Sequence, residues 1–173
     1  MSPITMTDAH AADTEYLVRQ AMNTGYQWSS LVAPPLYIAF VVSRRGRGDL
    51  SFNRILRSTW IGGLAGAGLS GGGAYARYAY SNADSVRLRR IETAYDTSVA
   101  RRNDHSTIGA ILAAVLTPAI LWKRANIVNL VLGGAGIGSG VGLLTHYAKS
   151  AAGDAPAKVD IVLPVTPSDK DTK

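Results

Sequence analysis

Ile127–Ala148, IVNLVLGGAGIGSGVGLLTHYA, is the stretch that decides the fold of this chain. Neither it nor Asn126 before it carries an acidic or basic charge, apart from the neutral imidazole of His146. A helix of about 22 residues rising 1.5 Å each crosses a hydrocarbon core of about 30 Å. Within it Gly134, Gly138 and Gly142 recur at every fourth position, with Gly136 and Gly140 in a second row. In a soluble helix each such glycine costs about 1 kcal/mol against alanine. In a bilayer the same spacing makes a flat groove along which a second backbone packs closely.

Working outward, charge is nearly absent from three further blocks and crowds the segments between them. The block before, Ser106–Trp122, carries Pro118 and is followed at once by Lys123-Arg124. So short a basic turn predicts an antiparallel hairpin with the glycine-rich block. Ser58–Tyr80 is the second glycine-rich block. Gly62, Gly66, Ser70 and Ala74 form one small-residue row, and Gly63, Ala67 and Gly71 form the next. Its weak hydrophobicity predicts that it packs tightly against the last block. Trp28–Ser43 is the first block, which Pro34-Pro35 are expected to disturb by removing amide donors. Arg44, Arg45 and Arg47 end it, with Gly46, Gly48 and Asp49 making the turn. Trp28, Trp60 and Trp122 all sit at block ends, where indole rings prefer the head-group level.

The fold expected is an all-α membrane protein of four short transmembrane helices, at about 28–43, 58–80, 106–122 and 126–148. They form two antiparallel hairpins with glycine-zipper packing. The proline, basic turn and glycine block of the first half are echoed in the second, so the hairpins are expected to be like-oriented repeats. Residues 1–27 form an amphipathic N-terminal segment, with a short helix over 13–24 ending at Gly25 and Leu17 and Ala21 on its apolar side. It lies on a membrane or partner, and an ordinary surface helix reads equally well. Between 81 and 105, Leu88, Ile91, Tyr95 and Val99 fall at helical spacing among Arg87, Arg89, Arg90, Arg101 and Arg102, which predicts an amphipathic surface helix. A solvated loop helix is the alternative. Residues 149–173 read as a polar tail, extended or disordered, with a short extended piece at Val159–Val165.

Candidate chemistry is sparse. There is no cysteine, which removes thiol catalysis and Cys-ligated metal sites. Gly66-Ala67-Gly68-Leu69-Ser70-Gly71 matches the dinucleotide pattern G-x-G-x-x-G, but it lies inside an apolar glycine run rather than between a strand and a helix. His10, His105 and His146 have no second ligand at metal spacing. No Asp, Glu or Lys lies within a span, whereas proton pumps and coupled transporters need such groups. Asn129 and the Ser and Thr residues of the spans read as interhelical hydrogen-bonding groups. No catalytic residue, cofactor, metal, small-molecule substrate or nucleic acid is expected. The net charge of +6 is placed at block ends, which suits anionic phospholipid. The lipid head-group candidates are Arg44, Arg45, Arg47, Arg89, Arg90, Lys123 and Arg124. The helix-packing candidates are Gly62, Gly66, Gly71, Gly134, Gly138 and Gly142. An N-terminus with Asp8, Asp13 and Glu15 against Arg19 does not read as a transit peptide, so any organelle signal is expected to be internal.

Four short spans, a basic turn after the first, glycine rows in the second and fourth, and Arg101-Arg102-Asn103-Asp104 before the third resemble a known family. It is the mitochondrial inner-membrane translocase family of presequence and carrier import channels, which shares its fold with an accessory subunit of respiratory complex I. Arg101, Asp104, Gly109-Ala110 and Ala114 occupy the roles of its signature, at spacings shorter than the family pattern. Length, the AGLSGGGAYARY stretch at 67–78 and the polar tail resemble more closely the small fungal complex I membrane subunits of the NUXM type. That resemblance implies a non-catalytic accessory subunit of the membrane arm, a scaffold in the mitochondrial inner membrane. Its partners would be membrane subunits of complex I, with phospholipid such as cardiolipin in the gaps. A protein-import channel component is the alternative. The two basic turns place the matrix on their side and the termini in the intermembrane space.

Overall fold

The last helix packs on three of the other four. In the computed structural model, which describes residues 3–154 and 156, the order is α1 (Pro3–Arg45), a 3-10 turn (Arg47–Asp49), α2 (Phe52–Ala79), α3 (Ala83–Tyr95), α4 (Thr97–Leu121) and α5 (Ile127–Ala151). No strand occurs among the described residues. α1 packs mainly on α2 and α4 mainly on α5, while α5 also touches α2 and α1. Facing residues give the directions. Met22 meets Gly71 and Ala33 meets Gly62, so α1 and α2 are antiparallel; His105 meets Gly142 and Thr117 meets Gly134, so α4 and α5 are too. Leu56 meets Gly133 and Thr59 meets Gly136, so α2 and α5 run parallel. The two hairpins therefore point the same way.

Local sequence sets the ends. The side chains of Asn82, Asp96 and Asn126 each accept amide hydrogens at the start of the following helix. Gly46 (φ +83°) stops α1 and Gly153 (φ +94°) follows α5, both in the left-handed region that glycine enters without strain.

Four expectations are corrected. First, no helix ends at Gly25: α1 is a single helix of 43 residues, about 65 Å long and about twice a bilayer core. It docks on α2 on both sides of Gly25, and this packing outweighs glycine's propensity cost of about 1 kcal/mol. Second, α1 passes through Pro34-Pro35. The prolines remove amide donors to the Ser30 and Leu31 carbonyls only, and Val41 is buried beyond them. Third, the 81–105 interval is not one surface helix. Asp96 closes α3 and caps α4, so α4 begins ahead of the apolar block. α3 buries Val86, whereas Leu88 and Tyr95 are exposed. Fourth, the glycines of the second block that make close contacts, Gly62, Gly63, Gly66 and Gly71, face α1 rather than the last block. The piece expected at 159–165 lies outside the described residues.

α4 and α5 are long and apolar enough to cross a membrane. The large side chains of the core are few, with Leu56, Leu130, Leu143 and Val86 fully buried. Bulky apolar residues point outward instead: Leu36 and Phe40 on α1, Leu69 on α2, and Val115 and Ile120 on α4 are more than half exposed. A protein in water rarely exposes apolar faces so broad without a partner or lipid to cover them.

Candidate functional site

Three sets of contacts hold the helices in register. The first is the glycine seams. A Cβ at Gly134 would lie 2.6 Å from Thr117 Oγ1 and 2.7 Å from the Ala113 carbonyl oxygen. One at Gly138 would strike the Gly109 carbonyl and lie 2.5 Å from Ala113 Cβ, and one at Gly142 would meet the His105 backbone. The second row on α5 faces elsewhere, Gly136 toward Thr59 of α2 and Gly140 toward Leu31 of α1. In the first hairpin, Gly62 faces Ala33, Gly66 faces Ser29 and the Gly25 carbonyl, and Gly71 faces Met22. All six packing candidates thus stand at helix–helix contacts.

The second set is a polar seam between α1 and the first turns of α4. Gln27 Nε2 donates to Asn103 Oδ1 at 3.1 Å, and Asn103 Nδ2 donates to Gln20 Oε1 at 3.4 Å. Arg102 Nη2 donates to Thr24 Oγ1 at 2.9 Å. Ser106 and Ser139 hydroxyls bond at 2.7 Å farther along α4 and α5. Beside them the His105 and His146 rings stand 6.0 Å apart, and Trp28 and His146 both pack on Tyr147. The sequence reading missed this seam because it followed the apolar side of 13–24. Its signal was Gln20, Thr24 and Gln27, spaced by four and three along one helix face.

The third set closes the opposite end. Asn53 Oδ1 accepts from the Asn126 amide at 3.1 Å and from Asn129 Nδ2 at 2.8 Å, and Trp60 Nε1 donates to Asn129 Oδ1 at 3.0 Å. Asn129 is therefore an interhelical group, and Trp60 is tied to protein through its indole nitrogen.

The basic candidates divide. Arg44, Arg45, Lys123 and Arg124 are exposed, with Arg44 over the Phe40 ring at 5.7 Å; the Arg47 side chain lies outside the described residues. Arg89 pairs with Glu92 at 3.1 Å. Arg90 turns inward to Asp13 at 3.0 Å and lies over Tyr16, so its charge is spent on a nearly buried carboxylate. Of the signature-like residues, Gly109 sits in the α4–α5 seam and Asp104 is exposed. Arg101 grips both the side chain and the carbonyl of Asp154, and this hydrogen bond holds the Asp154 carboxyl below the usual aspartate range. The G-x-G-x-x-G match lies within α2. Among the described residues no three acidic or histidine side chains gather in a group that could hold a metal ion.

Comparison with protein families, curated proteins and solved structures finds no match to this chain.

Proposed function

We propose that this chain is a non-catalytic accessory subunit of the membrane arm of mitochondrial NADH:ubiquinone oxidoreductase, a scaffold in the inner membrane. The observation that carries the reading is the apolar belt. Side chains such as Leu36, Phe40, Leu69, Val115 and Ile120 face outward, while the interior holds only a few large side chains, Leu56, Leu130 and Leu143 among them, beside glycine, serine and threonine. Such a bundle is stable where lipid or larger apolar subunits cover the outside, and close backbone packing replaces a core of large side chains.

In this reading the apolar stretches of α1 and α2 cross the bilayer alongside α4 and α5, giving four spans in two glycine-zippered hairpins. Exposed Arg44, Arg45, Lys123 and Arg124 sit on the turns joining the hairpin arms, at one head-group level. The N-terminal part of α1 reaches beyond the membrane with α3 against it, a surface for neighbouring subunits. The resemblance to fungal accessory subunits of the NUXM type supplies the assembly. Phospholipid fills the gaps.

A second reading, a component of a protein-import translocase, draws on the polar seam of Gln20, Thr24, Gln27 and Asn103. Widened, such a seam is the kind of surface along which an unfolded polypeptide moves.

Extraction of the native membrane in mild detergent, followed by native electrophoresis and mass spectrometry, tests both readings. Comigration with NADH dehydrogenase activity in a band near a megadalton is the expected result. A smaller band shared with import-channel components would replace the first reading with the second, and a free small species would refute both.

A further inference from the structure

A cavity of about 500 Å³ opens where α1, α2 and α3 meet, a size within the range of small-ligand sites. Its walls are of two kinds. Leu17, Ala21 and Ala74 make an apolar side, while Arg77 of α2 and Arg89 of α3 bring two guanidinium groups, and among the described residues no carboxylate lines it. Behind the wall, Arg102 donates to Thr24 and forms no ion pair with a described residue. Arg77 likewise has no described carboxylate partner, and its guanidinium rests 5.8 Å from the Tyr78 ring centre. Arg89 pairs with Glu92, but both are more than half exposed, and such a pair yields readily to a competing anion. Two guanidinium groups beside an apolar wall, one with no described carboxylate partner and the other held only by an exposed pair, suit an anionic group with an apolar tail.

We infer that this cavity binds the phosphodiester of one anionic phospholipid, with Arg77 and Arg89 on the phosphate oxygens and the glycerol end of an acyl chain along Leu17, Ala21 and Ala74. The level of the cavity selects lipid over a soluble anion. Trp28 begins the first apolar stretch and Arg77 ends the second, and both line the cavity, which puts it at the membrane–water boundary. The inference rests on the membrane reading above and adds a defined lipid site to it.

Native mass spectrometry of the intact chain released from detergent micelles tests it, with phosphatidylglycerol, phosphatidylcholine of the same acyl chains, and inorganic phosphate as probes. Wild type should retain one phosphatidylglycerol with a preference of about thirtyfold over phosphatidylcholine, the scale set by two arginines at an anionic surface. The Arg77→Gln/Arg89→Gln variant should lose the preference, and Arg124→Gln should keep it. Gly73→Leu is a second variant that leaves every charge in place. Gly73 lines the cavity and a Cβ there meets nothing within 4 Å, so the leucine projects into the open space and should crowd the lipid out. Equal retention of the two lipids by wild type, or an unchanged preference in both variants, would overturn the assignment. Displacement of the lipid by inorganic phosphate at equal concentration would overturn the lipid in favour of a free anion. Recovery of the chain from cells in the aqueous fraction without detergent would overturn the membrane reading itself.

Discussion

Gly138→Leu is the most telling perturbation of the α4–α5 seam. Two effects oppose one another. Replacing glycine by leucine inside a helix gains about 1 kcal/mol in propensity. Against this, the new Cβ would strike the Gly109 carbonyl and lie 2.5 Å from Ala113 Cβ, where carbons ordinarily rest about 3.5–4.0 Å apart. The helices must part by about 1 Å for the Cβ alone, and three further carbons then find no space. Overpacking costs about 1–3 kcal/mol, and a clash against backbone belongs at the upper end. The net loss is about 2 kcal/mol, or roughly thirtyfold in the packing equilibrium of the hairpin.

The absence of cysteine allows a clean assay. Ser106→Cys with Ser139→Cys places two thiols where hydroxyls now stand 2.7 Å apart. The rate of disulfide formation then reports how often the seam is closed, and SDS titration reports stability in parallel. Gly68→Leu is the control, because a Cβ there meets nothing within 4 Å and only the propensity gain remains. Gly138→Leu should slow crosslinking and lower the SDS midpoint, while Gly68→Leu should leave both unchanged or raise the midpoint. Wild-type crosslinking and SDS resistance in Gly138→Leu would refute the close-packing argument.

Asn129→Leu removes the group joining Asn53 to Trp60 and should cost about 1–2 kcal/mol, with a shift in Trp60 emission as its indole loses an acceptor. Arg90→Leu strands the Asp13 carboxylate, which is 7% exposed. Because Arg90 itself is half exposed, thermal unfolding should show a loss of about 1–2 kcal/mol rather than the larger figure for a fully buried pair, most of it recovered by adding Asp13→Asn. The Arg101–Asp154 contact should be acid-sensitive. The folded state has the lower carboxyl pKa, so the contact is at full strength above the unfolded value of about 3.9 and is lost as pH falls through the lowered value. Hydrogen exchange in the last turn of α5, corrected for intrinsic chemistry, should rise across that window in wild type and show no such step in Asp154→Asn.

The two proline and glycine positions of α1 show where reading the chain alone stops. Gly25 carries an intrinsic penalty of about 1 kcal/mol and Pro34 and Pro35 about 3 kcal/mol each, and such penalties decide helix ends only when nothing packs across them. Here α2 docks on both sides of Gly25. The polar seam was hidden for a related reason. Gln20 and Gln27 read as a solvent face until a second helix brings Asn103 and Arg102 to them, and nothing local specifies that meeting.

What the sequence determined by itself is what depends on short range. Charge-poor blocks bounded by basic turns, side-chain caps at Asn82, Asp96 and Asn126, and small residues at every fourth position are local properties. They dictate helices, tight turns and faces on which close approach is possible. The tertiary structure alone decided which face meets which helix. It set the 134–138–142 row against α4, the 136 and 140 positions against α2 and α1, and Gly62, Gly66 and Gly71 of α2 against α1. A glycine row lowers the barrier to any backbone that fits it. The partner is chosen only when every helix in the bundle has found space at once.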